Sequence, residues 1–134
     1  MLKVDLKKSL LTAIAVISIL PAISQTAQAG AANNVFGAIS YSPSTKVYST
    51  GIAKTKQAAI NASLNKCRRE SAARDCTTPL WFKNAWGALA VGSDGSYGTG
   101  WGTNQSLAKK YAVETCQKYG GADCQVVLIK QARQ

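Results

Sequence analysis

Apolar and small residues fall in short blocks separated by polar turns, and the blocks come round twice in the same order. Phe36-Gly37-Ala38-Ile39-Ser40-Tyr41 is aromatic and branched and predicts a strand. Ser42-Pro43-Ser44-Thr45-Lys46 is turn chemistry, and residues 47–52 predict the returning strand of a hairpin. Lys54-Thr55-Lys56-Gln57 opens a helix, with Thr55 as N-cap accepting a free backbone N–H of the first turn. Residues 58–66 are good helix formers without Gly or Pro. Arg68 and Arg69 then fall where positive charge suits a helix C-terminus. Residues 71–75 read as a loop and residues 77–82 as a third strand. Pro79 has no N–H for a ladder, so that strand either lies at a sheet edge or starts after it.

The second round follows at once. Trp86 stands 50 residues after Phe36, and Tyr97, Gly100, Asn104 and Cys116 stand 49 after Tyr48, Gly51, Thr55 and Cys67. Cys124 and Leu128 stand 48 after Cys76 and Leu80. The slips fall in the hairpin turn and in the loop between cysteines, where chain length is free to vary. Ser93-Asp94-Gly95-Ser96 is a strong hairpin turn. Each unit is strand, strand, helix, strand. One unit alone cannot cover its apolar faces, whereas two can cover each other. Ala59, Ser63 and Cys67, like Ala108, Ala112 and Cys116, are four apart and share a helix face of small groups, so each helix can lie close to a sheet. Ile60, Leu64 and Tyr111 widen those stripes. The expected fold is α+β: one domain over residues 30–134, built of two pseudo-symmetric ββαβ repeats (about 34–83 and 84–131), with antiparallel sheet, two helices and disulfide staples. Phe36, Trp81, Phe82 and Trp86 are the expected large core residues.

The first 29 residues stand apart from this pattern. Lys3, Lys7 and Lys8 precede an apolar run over residues 9–23, and Ala27 and Ala29 frame a cleavage site. The run is shorter than the roughly 20 residues of a membrane span. It reads as a signal peptide cleaved after Ala29, which predicts a periplasmic or secreted protein with no stable membrane span. Four cysteines allow three pairings, and the repeat selects Cys67–Cys76 with Cys116–Cys124. Spacings of eight and seven intervening residues do not match the close pairs of a zinc site, so no metal is expected.

Composition narrows the chemistry. The chain has 134 residues, 16 Lys and Arg, six Asp and Glu, and no His. Without His there is no Ser-His or Cys-His pair, and no catalytic residue or cofactor is expected. Taking away the leader's three Lys and one Asp leaves 13 basic and five acidic residues, a net charge of +8. Asp75 and Asp123 occupy matched positions before Cys76 and Cys124. They read as loop formers, and as the only acids a hydrolase would recruit. Gly98-Thr99-Gly100-Trp101-Gly102 lacks the Lys-Ser/Thr sequel of a phosphate loop and reads as glycines admitting close backbone approach. The candidate binding surface joins Tyr48, Tyr97 and Trp101 with Lys54, Lys56, Arg68, Arg69, Lys109 and Lys110. Such a surface suits an acidic protein or an anionic polymer. Nucleic acid is not expected, because the chain is exported and shows no basic-aromatic motif.

Trp86-Gly87-Ala88-Leu89-Ala90, Asp94-Gly95-Ser96-Tyr97-Gly98-Thr99-Gly100-Trp101-Gly102, a helix ending in Cys116, and Asp123-Cys124 before an apolar strand together resemble the bacterial domain-of-unknown-function family 4189. The resemblance runs from Trp86 to Ile129 and is echoed more loosely from Phe36 to Phe82. It implies an exported protein with paired cysteines, and it carries over no activity, cofactor or catalytic residue. The first copy departs from the pattern at Ser42-Pro43-Ser44-Thr45, where the second has Gly92-Ser93-Asp94-Gly95. The expected role is a small basic binding module that inhibits or neutralises another exported or envelope protein. Binding of anionic envelope polymers is the second reading and hydrolysis the third.

Overall fold

The computed structural model describes residues 33–134, and the leader expected over residues 1–29 lies outside them. The elements are β1 (Phe36–Ser42), β2 (Val47–Ala53), α1 (Lys56–Glu70), β3 (Thr77–Lys83), β4 (Trp86–Val91), β5 (Tyr97–Gly102), α2 (Gln105–Lys118) and β6 (Gln125–Gln131). They form two antiparallel three-stranded sheets, ordered β2-β1-β3 and β5-β4-β6. Each repeat therefore makes its own ββαβ unit, with its first strand central. Both caps act as the sequence predicts: Thr55 accepts from the Ala58 N–H at 3.2 Å and Asn104 from the Leu107 N–H at 2.9 Å.

Strand alternation sends two kinds of side chain in opposite directions. Ile39 and Tyr41 point to one face of the first sheet and Ala38 and Ser40 to the other. The first set meets Phe82, Ala85 and Leu89 in a buried seam between the sheets, flanked by Leu80, Val91, Tyr97 and Leu128. The second set lies under a helix. α1 presents buried Ala59, Ser63 and Cys67 to its sheet; α2 presents Ala108, Ala112 and Cys116 to Ala88 and Ala90. The layers run helix, sheet, sheet, helix.

The helices lie almost backbone to backbone on the sheets. A Cβ added to Gly51 would stand 2.6 Å from the Ser63 nitrogen, and one added to Gly98 2.6 Å from the Ala112 carbonyl oxygen. No side chain fits there. A second pair of hollows, at Gly37 and Gly87, faces the seam, and the Phe82 ring fills both: an added Cβ would meet it at 2.9 Å or less from either glycine. Lys130 pairs with Gly87 as Phe82 pairs with Gly37. One phenyl ring already occupies the shared space, and Lys130 is exposed.

Three large-residue expectations change. Trp81 is 43% exposed, while Phe36 and Trp86 are only partly buried. Alternation along β3 turns Phe82 inward and Trp81 outward. Tyr41 is instead the largest fully buried side chain, its ring 4.8 Å from that of Tyr97. Tyr111 is exposed and does not widen the α2 stripe, because the tight Ala-Ala-Cys contact leaves bulky neighbours on the helix flank.

Cys67–Cys76 and Cys116–Cys124 are bonded, with Cα separations of 6.1 Å in both cases, and no cysteine is free among the described residues. Each bond ties the last turns of a helix to the approach of the following strand. Two such bonds mark an oxidising, extracytoplasmic compartment. No helix among the described residues is long and apolar enough to cross a membrane.

The Tyr41 hydroxyl is buried without a hydrogen-bond partner among the described residues. Desolvation, with smaller contributions from Tyr97 and Asp75, raises its pKa. A buried unpaired hydroxyl costs about 1–3 kcal/mol, so Tyr41→Phe should match or exceed wild-type stability in urea unfolding. Gly98→Ala forces α2 off its sheet and should cost about 3 kcal/mol or more. Gly95 has φ of +87° and open space around it, so Gly95→Ala should cost only about 1 kcal/mol.

Candidate functional site

The exposed face of β3 is set by the same alternation that buries Phe82. Pro79, Trp81 and Lys83 point outward, whereas Leu80 packs toward the seam. α1 lies chiefly over β1 and β2, so it leaves the indole of Trp81 partly exposed. Lys56, the first residue of α1, places its Nζ 4.1 Å from the Trp81 ring centroid. The Phe36 ring stands 6.4 Å from that of Trp81, with the Lys83 Nζ 5.8 Å from the Phe36 ring. Two neighbouring rings thus carry an ammonium each, drawn to the negative face of its ring.

Trp101 supplies the opposite wall. Gly100 and Gly102 on β5 lie against α2, so Trp101 between them projects from the other face, toward β3. It is 54% exposed. Between β3 and Trp101 runs an open groove of about 380 Å³, lined by Pro79, Leu80, Trp81, Phe82, Lys83 and Trp101. A second hollow of about 460 Å³ lies on the other flank of Trp101, against Leu107 and Tyr111 of α2. Neither hollow has an acidic residue in its lining. Among the described residues β3 and β5 each pair on one side only, so the groove runs between two strand edges unpaired within that part of the chain. The pseudo-symmetric positions of Trp81 and Trp101 are Ile129 and Ile52, so the other side of the molecule has no such pair of indoles.

Of the residues expected at a binding surface, the fold brings Lys56 and Trp101 to this groove. Lys54 precedes α1 at the same end of the first sheet. Tyr48 is 40% exposed but sits on β2, the opposite edge of that sheet. Tyr97 is partly buried against Tyr41. Arg68 and Arg69 occupy the last turn of α1, at the far end from Lys56. Lys109 and Lys110 are on α2, where Lys110 pairs with Glu114 at 3.7 Å. Trp81 and Lys83 were absent from that expected set. Their signal was the period-two run Pro79, Trp81, Lys83 beside a proline that already implied an edge.

The matched aspartates are engaged with their own hairpins. Asp75 accepts the Ser42 hydroxyl and, at 2.9 Å, the Ser44 N–H. Thr45 and Ser71 donate to the Ser42 oxygen at 2.7 and 3.0 Å, which closes a small hydroxyl cluster around the first turn. These bonds, Ser42's foremost, hold the Asp75 pKa below its ordinary value. Asp123 adopts φ of +50°, with the Ser93 hydroxyl 3.5 Å from its carboxylate.

The features define a class first: a duplicated, disulfide-stapled α+β domain with one aromatic groove between strand edges. The family model described as "Domain of unknown function (DUF4189)" matches residues 36–130, and the chain belongs to that family. No curated protein and no solved structure matches it.

Because the native Asp75 pKa is lowered, its charged form stabilises the fold above the unfolded value of about 3.9, and that contribution disappears as pH falls through the native value. Asp75→Asn should therefore lower the urea midpoint at neutral pH, with the gap from wild type closing as the solution is acidified below that window. A gap that stays constant with pH would mean the carboxylate charge is not what holds the hairpin.

Proposed function

We propose that the protein is an exported, non-enzymatic binding module, released to the periplasm or the exterior by cleavage after Ala29, that inhibits or neutralises another exported or envelope protein. The observation that carries this reading is Trp101, a large apolar side chain 54% exposed above a groove walled by a second exposed tryptophan. Exposed aromatic groups of this size, rimmed by charge, are the usual anchors of protein contacts. The scaffold supports the role: two disulfides and close helix-sheet packing hold the groove walls in place without help from a partner, which lowers the ordering cost of binding.

Binding of an anionic envelope polymer is the second reading, favoured by one separate observation. β1 and β4 start side by side, so both helices begin at the same end of the molecule. Neither helix has an acidic residue in its first turn. Lys54, Lys56, Lys83 and Lys130 collect there, giving a cationic end.

The two readings separate on a column bearing the oxidised protein, loaded with envelope extract near physiological ionic strength, about 0.15 M, and washed at higher salt. A stoichiometric protein retained through the salt wash by wild type, and lost with Trp101→Ala, is the expected result. Polysaccharide or lipid released by salt and indifferent to Trp101→Ala would replace it with the polymer reading. Retention of neither would end both.

A further inference from the structure

We propose that the groove accepts an extended, acidic segment of the partner polypeptide as an added strand along the free edge of β3. This rests on the binding-module reading and specifies its mode. Five of the six residues lining the groove, Pro79 to Lys83, are consecutive in one strand. Such a lining is the edge of a strand, where unpaired backbone N–H and C=O groups await a partner. Among the described residues β1 is the only strand paired with β3. Trp101, from the other sheet, closes the far side, so a chain laid in the groove meets backbone on one flank and an indole on the other.

The charge of the occupant follows from the rim. Lys83 lies in the lining, Lys56 sits over Trp81, and no carboxylate lines the groove. The acidic side chains lie elsewhere: Asp75 is bonded to the β1–β2 turn, Asp94 to Ser96 in the β4–β5 turn and Glu114 to Lys110 on α2, while Glu70 ends α1 and Asp123 stands near Ser93. Pro79 and Lys83 are also the two devices that blunt a strand edge against indiscriminate pairing. Pro79 removes a donor, so the ladder is confined to residues 80–83. Lys83 repels basic strands, including the same edge of a second copy of this basic chain, and welcomes acidic ones. Leu80 and Trp101 favour an apolar side chain between the acids. The occupant is thus a segment of alternating acidic and apolar residues, drawn from a different protein.

Random short peptides displayed on phage and selected against the oxidised protein test this directly. The enriched peptides should be acidic with alternating apolar residues. A synthetic copy of the strongest should quench tryptophan fluorescence and slow amide hydrogen exchange at residues 80–83. Trp101→Ala and Lys83→Glu should each weaken it by about tenfold or more, and selection against Lys83→Glu should turn toward basic peptides. Enrichment without acidic bias, protection away from β3, or affinity untouched by both substitutions would overturn the proposal. So would alginate, an acidic polysaccharide, binding through Trp101 where no peptide does. Failure of strand addition is distinct from failure of the binding reading: an envelope protein captured through Trp101 without added protection at residues 80–83 removes only the former.

Discussion

The distance between each helix and its sheet governs the rest of the molecule. At Gly51 and Gly98 the sheet backbone meets the helix backbone with no room for a methyl group. The helix residues at the contact are accordingly Ala, Ser and Cys. Close approach yields many dispersion contacts per residue, but it buries little bulk. The large apolar side chains have to go to the seam between sheets or to the strand edges, and those two destinations make the core and the groove.

The two repeats meet this constraint with different chemistry. Under α2 the sheet offers Ala88, Ala90 and glycines. Under α1 it offers hydroxyls, and their hydrogen bonds are complete. Ser63 donates to Ser40 at 2.8 Å, Ser40 and Thr78 share a bond of 2.8 Å, and Ser49 donates to the Ser63 carbonyl at 2.6 Å. Buried hydroxyls cost little when each finds a partner. Among the described residues Tyr41 is the exception, its oxygen unpaired there where its ring is needed to fill the seam.

The candidate surface is one-sided although the scaffold is duplicated. Two equivalent glycine hollows face each other across the seam, and a single ring, Phe82, fills both. With that space filled by one repeat's ring, the counterpart position in the other repeat holds the exposed Lys130. The strand edges beside Phe82 differ as well: Trp81 and Trp101 stand where the other side has Ile129 and Ile52. A symmetric scaffold thereby carries one groove with two indoles and a cationic rim.

Local chemistry made much of this legible in the chain itself. The 48–50 residue offsets gave the duplication and through it the cysteine pairing; Thr55 and Asn104 marked the helix starts; Gly95 marked a turn; Pro79 marked an edge strand. These are short-range or repeat-encoded features, and the covalent neighbourhood decides them. The destination of each aromatic was not decidable that way. Trp81 and Phe82 are adjacent and equally apolar, yet one is 43% exposed and the other 2%. Tyr41 is fully buried, while Tyr48, its partner across the hairpin, is 40% exposed. Which face of a strand is covered depends on where the second sheet and the helix come to rest, and how far each extends over the edge. That is a matter of packing between distant segments, so only the tertiary structure could bring Trp81 and Trp101 into the lining of one groove.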